Sequence, residues 1–574
     1  MSKLRSDEWF SGDDEVALSH RVVMASIGQE ISADNTKPII GIADSSSELN
    51  PCNLPLKNFI PEIKRGILEA GGIPVVFPVM SLGEDLMKPS AMLYRNMLSM
   101  EVEEYLRSNP LDGVVLLANC DKSVPGALMG AISTDLPTIM FTAGARPIAQ
   151  FKGKRIGTGT DLWRTWSDYR AKKISEKEWK EFESCLNCGL GACNTMGTAS
   201  SVALMVEALG MSLPGKSVIP ENDPNRKIAA FDTGKVIVEM VKENRTPSSI
   251  MTPGAFRNAM RTLHACGGST NAIIHLLALS GRIAGGLTID KINELGAGLC
   301  VIADVEPSGA QMIQDFNNAG GLPVLLNELQ SYFELDEKTL TGKSWREIIV
   351  GAKSSNSSIR SSQDPIYPSA AFAIVKGSLA PNGAVIKVSA ASKELLKHTG
   401  PAVVFNGYQD MRIRIDDPKL NITKDSVLVL KDCGPVGVPG MPEWGMIPVP
   451  KRLLEEGVTD LVRISDARMS GTSFGTCVLH VAPESAIGGP LGLVEDGDLI
   501  ELDVLSGSLN LLVSPDELAV RKSNWTAPIS DHLRGWPALY QSHVMQADLG
   551  CDLDFLRPKN QAEMRFIPPV VGRS

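Results

Sequence analysis

At 574 residues the chain is too long for one ordinary hydrophobic core, and two or more domains of roughly 100–250 residues are expected. Lys and Arg number 56 against 66 Asp and Glu, and the acidic excess is spread along the chain, which argues against a nucleic-acid footprint and leaves a small anionic ligand dependent on a metal or on locally placed cations. No stretch reaches the roughly 18 unbroken apolar residues of a membrane span, and the start M-S-K-L-R-S-D-E-W-F lacks the apolar core of a signal peptide, so a cytoplasmic protein with no membrane partner is expected.

The first thirty-odd residues are polar and mixed, and they read as a surface arm with a helix near Glu15 to Ile27. From Lys37 the pattern turns to strand, loop and helix. P-I-I-G-I-A runs into D-S-S-S-E-L-N-P-C-N, and Phe59, Ile60, Ile63, Ile67 and Leu68 then repeat at helical spacing before Gly71-Gly72. I-P-V-V-F-P-V, L-D-G-V-V-L-L-A-N and L-P-T-I-M-F-T supply three further strands, with helical stretches between them. Continuous apolar strands alternating with helices predict a parallel sheet covered on both faces, whose ligands sit at the carboxyl ends of the strands.

Residues 160 to 350 read as mostly helical. From about Gly377 the texture changes to short β-rich runs, A-V-I-K-V, A-V-V-F, S-V-L-V-L, D-L-V-R-I, C-V-L-H-V, D-L-I-E-L-D-V and L-N-L-L-V, separated by Gly, Pro, Asn and Asp. That is the pattern of a compact barrel or sandwich. The expected division is an α/β domain over 1–375 and a β-barrel-like domain over 376–574, with the tail packing back on the first.

Ten Cys in a reducing compartment do not form a disulfide framework; each is a buried small hydrophobe, a metal ligand or a reactive thiol. Cys52 and Cys120 follow strands of the parallel sheet, and Cys193 precedes a helix, where N–H groups and the dipole favour a thiolate. Three such thiols suit an iron–sulfur cluster with an open position. The local spacing C-x2-C-x4-C of Cys185, Cys188 and Cys193 is a rival for zinc or part of a cluster. Glu84, Asp121 and Glu443 sit beside the same loops, and hard oxygen ligands from separate loops suit Mg²⁺. Lys122 is out of place there, since an ammonium repels a metal. V-R-I-S-D-A-R-M-S-G-T-S-F-G-T, Val462 to Thr476, empties a strand into a loop of small residues. It is a plain turn, an anion nest, or a device that projects Ser470 as nucleophile or base.

The motifs N-P-C-N, P-V-M-S-L-G-E, N-C-D-K-S-V-P, G-A-C-N-T-M-G-T-A-S, G-G-S-T-N-A-I-I-H-L, G-P-V-G-V-P-G-M-P-E, S-D-A-R-M-S-G-T and H-V-A-P-E-S-A-I-G-G-P occur in this order. With them the chain resembles the family of dihydroxy-acid, sugar-acid and 6-phosphogluconate dehydratases almost end to end. The resemblance implies a [2Fe–2S] cluster on Cys52, Cys120 and Cys193, Mg²⁺ (or Mn²⁺) on Glu84, Asp121, Glu443 and a carbamylated Lys122, Ser470 as base, and Thr472 at the substrate. Carbamylation would resolve the oddity of Lys122 by turning a cation into an oxygen ligand, and Cys185 and Cys188 become bystanders. Also implied are a site between the two domains and a homodimer or homotetramer. N-T-M-G-T-A-S, M-P-E-W-G-M and the two chain ends resemble the pentonate branch, whereas Asn53-Leu54-Pro55 departs from the common pattern. The implied reaction removes water from a 2,3-dihydroxy acid such as L-arabinonate or D-xylonate; the alternatives are the branched dihydroxy acids of amino-acid synthesis and an iron–sulfur binding protein without turnover.

Overall fold

The four apolar runs of the amino-terminal half become strands β1 (Ile39–Asp44), β2 (Ile73–Pro78), β3 (Gly113–Leu117) and β4 (Thr138–Phe141) in the computed structural model, which describes residues 4–558 apart from Asn187 and Ala284. They pair in parallel in the order β2-β1-β3-β4. β1 lies inside the sheet, with its successor on one side and β3 on the other, so the loops after β1 and β3 part there and leave a crevice at their carboxyl ends. Helix Ile60–Glu69 crosses helix Asn225–Lys242 through glycines: a Cβ on Gly66 would lie 2.1 Å from the Phe231 carbonyl oxygen, and one on Gly234 would lie 2.2 Å from that of Ile63. Helices Thr198–Ala208 and Thr270–Arg282 are almost wholly buried, so neither has a solvent-facing polar side, and the charged residues they carry, Glu207 and Arg282, are hydrogen-bonded inside.

A hairpin, β5 (Ala149–Phe151) and β6 (Lys154–Ile156), precedes helices Thr160–Arg170 and Glu176–Leu186. The second sheet contains β7 (Phe372–Val375), β8 (Gly383–Lys387), β9 (Lys397–Asn406), β10 (Val427–Lys431), β11 (Val462–Ser465), β12 (Cys477–Ala482), β13 (Leu499–Asp503) and β14 (Ser508–Leu511). Its order is β14-β13-β9-β10-β11-β12-β8-β7, with β9 to β12 parallel and both flanks antiparallel. The edges then meet: Lys376 N–H donates to the Gly507 carbonyl at 2.9 Å and Leu509 N–H to that of Lys376 at 2.8 Å, so the sheet nearly closes into a barrel. Alternate residues sort by face, with Ala402, Val404, Val427 and Val429 in one apolar cluster and Val403, Phe405, Leu428 and Leu430 in another.

Two features differ from the sequence reading. Trp9 and Phe10 are buried and join the core of the first sheet, while Arg5 donates to the carbonyls of Asn109 and Leu111 at 2.6 and 3.0 Å, so the start of the arm is packed down. Two aromatic rings bury enough apolar area to outweigh a polar neighbourhood. The run F-A-I-V, not singled out from the sequence, forms β7. Residues 535–557 return to the first half of the chain: Arg95 Nη2 donates to the Gly550 and Cys551 carbonyls at 2.9 and 2.8 Å, and Arg282 forks onto Asp552 at 2.7 and 2.8 Å. Residues 559–574, the rest of the tail expected to pack back, lie outside the described ones. No helix among the described residues is long and apolar enough to cross a membrane.

Candidate active site

The crevice between β1 and β3 is built by asparagines. Asn53 Nδ2 donates to Ser45 Oγ at 2.9 Å and Ser123 Oγ at 3.0 Å, while its Oδ1 accepts from the N–H groups of Asn119 at 3.1 Å and Cys120 at 2.8 Å. Asn119 Nδ2 answers by donating to the Cys52 carbonyl at 2.8 Å and to that of Gly144 at 2.9 Å. The N–H groups of Asn119 and Cys120 and the carbonyls of Cys52 and Gly144 thus find side-chain partners, which lowers the cost of burying two irregular loops. The loops present Cys52, Cys120, Asp121 and Lys122, and the loop after β2 presents Glu84.

Lys122 is fully buried, and its ammonium lies among three carboxylates: Asp121 Oδ2, Glu443 Oε1 at 2.8 Å and Glu84 Oε2 at 3.1 Å. One oxygen from each acid falls within 4.8 Å of the others, a spacing that fits a divalent cation. Glu84 Oε2 is buried and, despite its nearness to Lys122, has no hydrogen-bond partner. An oxygen in that state fits a cation that is not an ammonium, and the donor set of hard carboxylates fits Mg²⁺ or a similar ion. Burial pushes Glu84 up. Burial acts on Glu443 in the same sense, but Lys122 and Arg468 outweigh it and hold that carboxyl at about 2. Lys122 itself is held above its ordinary value: burial and Arg468 oppose its charge, and Asp121, Glu443 and Glu84 together overcome them.

Of the cysteines, Cys120 faces Cys52, and this contact together with burial raises its thiol well above the usual range. Cys193 is pushed up to about 12 by burial, with Cys52 adding to the effect and Arg146 opposing it. Arg146 Nη2 lies 4.0 Å from Cys52 Sγ and 3.1 Å from the Gly191 carbonyl, so a guanidinium bridges the Cys52 and Cys193 loops. Cys185 packs with Phe182 and Trp179 in a separate aromatic cluster, and Cys188 Sγ donates to the Pro147 carbonyl at 3.0 Å.

Ser470 follows β11, and its Oγ lies 3.0 Å from Thr472 Oγ1. The loop is wedged between helix starts: a Cβ on Gly471 would lie 2.5 Å from Thr198 N and 2.6 Å from Ser269 Oγ. It also abuts the Cys193 loop, since a Cβ on Gly197 would lie 2.9 Å from Thr472 Cγ2 and 3.9 Å from Cys193 Cβ. Asn271 joins it to the acids, its Nδ2 reaching the Met469 carbonyl at 3.0 Å and Glu443 Oε1 at 2.7 Å. Cys52, Cys120, Cys193, Glu84, Asp121, Lys122, Glu443, Ser470 and Thr472 therefore lie in one neighbourhood between the parallel sheet and the second sheet, and Cys185 and Cys188 lie outside it.

The chain matches the dihydroxy-acid/6-phosphogluconate dehydratase family over residues 37–348 for the amino-terminal domain of that family and 357–551 for the carboxyl-terminal one. It belongs to this family. The chain is 46% identical to L-arabonate dehydratase of Azospirillum brasilense, with 98% of each chain covered, and 45% identical to 6-deoxy-6-sulfo-D-gluconate dehydratase of Pseudomonas putida, with 97% of each covered. It is 44% identical to L-arabinonate dehydratase of Rhizobium leguminosarum bv. trifolii over 97% of this chain and 96% of the relative. As a member of the family the protein is a hydro-lyase. Sequence reasoning passed over Arg468, Ser90, Asn271 and Arg146 as site residues, although Arg468 and Asn271 stand inside motifs already singled out.

Proposed function

We propose that this dehydratase removes water from a 2,3-dihydroxy sugar acid, an aldonate such as L-arabinonate or D-xylonate, to give a 2-keto-3-deoxy acid. The observation that carries the reading is the convergence of Glu84, Asp121 and Glu443 on Lys122, one amide side chain away from the Ser470 loop. Such a reaction must remove a weakly acidic C2 proton and expel hydroxide from C3. When bound, a divalent ion on Glu84, Asp121, Glu443 and a carbamylated Lys122, and a [2Fe–2S] cluster on Cys52, Cys120 and Cys193, would supply Lewis acidity toward the carboxylate with the C2 hydroxyl and toward the C3 hydroxyl. The soft donor set of three thiols from three loops, Cys52 and Cys120 buried and Cys193 half-buried, with a guanidinium beside two of them, suits such a cluster.

Ser470 Oγ is read as the base for the C2 proton. Thr472 Oγ1 at 3.0 Å can donate to it, which favours the deprotonated form, and the uncapped start of helix Thr198–Ala208 adds a positive dipole end beside the loop. Thr472 is read as a substrate contact. Buried hydroxyls without partners, Thr195 Oγ1 and Ser473 Oγ, suit a substrate rich in hydroxyl groups. Leu54 and the buried Pro55, next to the Cys52 loop, favour the second reading, a branched dihydroxy acid against an apolar wall. The sugar acids named for the three relatives weigh toward the first. A division of the chain near residue 375 and a homodimer or homotetramer complete the proposal.

The test is kcat/KM for L-arabinonate and D-xylonate against 2,3-dihydroxyisovalerate on one metal- and iron-replete preparation. A pentonate is expected to win by tenfold or more, about 1.4 kcal/mol of transition-state binding. A win for dihydroxyisovalerate overturns the sugar-acid reading and leaves the dehydratase chemistry standing.

A further inference from the structure

Arg468 is a second buried cation in a cavity that already holds Lys122, and its side chain is fully enclosed. A guanidinium there must be compensated, and each of its nitrogens is accounted for. Nε donates to the Met441 carbonyl at 2.7 Å, Nη1 to Glu443 Oε1 at 3.0 Å, and Nη2 to Ser90 Oγ at 2.9 Å. Ser90 in turn donates to Glu84 Oε1 at 2.7 Å. Two of the three acids are therefore held by one planar fork, Glu443 directly and Glu84 through a hydroxyl.

The fork sorts the oxygens of Glu84. Oε1 is taken by Ser90, and Oε2 is left without a hydrogen bond on the side of Lys122. Arg468 Nη2 stays 4.0 Å from Glu84 Oε1, while Nη1 shares Glu443 Oε1 with Lys122. Its backbone is tied to the loop that carries Glu443, because Gly445 N–H donates to the Arg468 carbonyl at 2.8 Å and Arg468 N–H to that of Pro442 at 3.3 Å. Two positions further on is Ser470. Main chain and side chain of one residue thus connect the Glu443 loop, the Glu84 loop and the Ser470 loop.

We propose that Arg468, acting through Ser90, is the positioning residue that orients Glu84 and Glu443 for a divalent cation and sets their distance from the Ser470 loop. The inference rests on the reading of these acids as the cation site. Lys cannot replace Arg in this role: an ammonium keeps the charge but cannot span Met441, Glu443 and Ser90 from one rigid plane. Outer partners of metal ligands typically contribute 10- to 100-fold to affinity.

The test is Mn²⁺ binding to the metal-stripped full-length protein, followed by electron paramagnetic resonance, in wild type, Arg468→Lys, Ser90→Ala and the double variant, with thermal melting of each. Arg468→Lys is expected to weaken Mn²⁺ by tenfold or more and Ser90→Ala by several-fold. The double variant is expected to be no weaker than Arg468→Lys, because both changes cut the same path to Glu84. Wild-type affinity in folded Ser90→Ala and Arg468→Lys overturns the proposal, as does full additivity of the two. If Arg468→Lys does not fold, Ser90→Ala decides alone: weakened binding supports the relay and unchanged binding overturns it. Absence of Mn²⁺ binding in wild type overturns the site reading itself and this inference with it.

Discussion

At the scale of single residues the site depends on which side chains are left without alternatives. Asn53 has spent its side-chain hydrogen-bonding capacity on Ser45, Ser123, Asn119 and Cys120, so it serves as framework for the loops that carry Cys52 and Cys120. The cysteines divide in the same way. Cys52, Cys120 and Cys193 interact with one another or with Arg146, whereas Cys185 lies among aromatic rings. Replacing Cys52, Cys120 or Cys193 by Ala under anaerobic conditions is expected to abolish bound iron and sulfide, and Cys185→Ala or Cys188→Ala to retain both. Iron and sulfide counts decide it, and loss of iron in Cys185→Ala with retention in Cys120→Ala would assign the ligands to the local triplet instead.

Whole elements place these residues through close backbone contact. The crossing of helices Ile60–Glu69 and Asn225–Lys242 beside the parallel sheet needs the absence of side chains at Gly66 and Gly234, since added Cβ atoms would meet backbone oxygens that cannot give way. Gly234→Ala is expected to destabilise the protein by about 1–3 kcal/mol, the usual cost of overpacking, and to lower the urea midpoint. Ala raises helix propensity by up to about 1 kcal/mol over Gly, so an unchanged or higher midpoint would show that the helices can part without loss. The second sheet follows the same logic at its seam, where Lys376 makes backbone bonds with both Gly507 and Leu509 and leaves little edge exposed.

For the whole molecule, buried carboxyls away from the cation site tie stability to pH. Glu484 is pushed up to about 7 by burial, with Asp466 adding to the effect, and Asp466 is pushed up to about 6 by burial. Glu484 accepts from the N–H groups of Val436 and Gly437 and from Gln546, and so anchors both the loop that leads to Glu443 and the returning tail. Unfolded, a Glu titrates near 4.3, roughly. Between about pH 4 and 7 the folded state therefore binds more protons than the unfolded one, and stability falls as pH rises through that window. In Glu484→Gln the share of that dependence due to Glu484 is removed, and that of Asp466 remains. The difference in urea midpoint between wild type and variant is expected to move in the variant's favour from pH 4 to 7, and a difference constant across the window would refute the shift.

The order of apolar runs determined most of the architecture: all seven β-rich runs of the carboxyl-terminal half are strands, and the first four strands pair in parallel, as continuous apolar runs alternating with helices imply. Residue types at strand ends likewise marked Cys52, Cys120, Asp121 and Ser470, because irregular loops after buried strands are where a parallel sheet opens to a ligand. The packing of Trp9 and Phe10 was not legible, since local polarity says nothing about which surface an aromatic ring will find. Nor were the links between loops. Ser90 and Arg468 meet across 378 positions and Asn271 and Glu443 across 172, contacts that no periodicity encodes. A hydrogen bond between distant loops exists only once strand order, barrel closure and the returning tail have set the distance between them, so the tertiary structure alone decided how the acids, the lysine and the serine are held together.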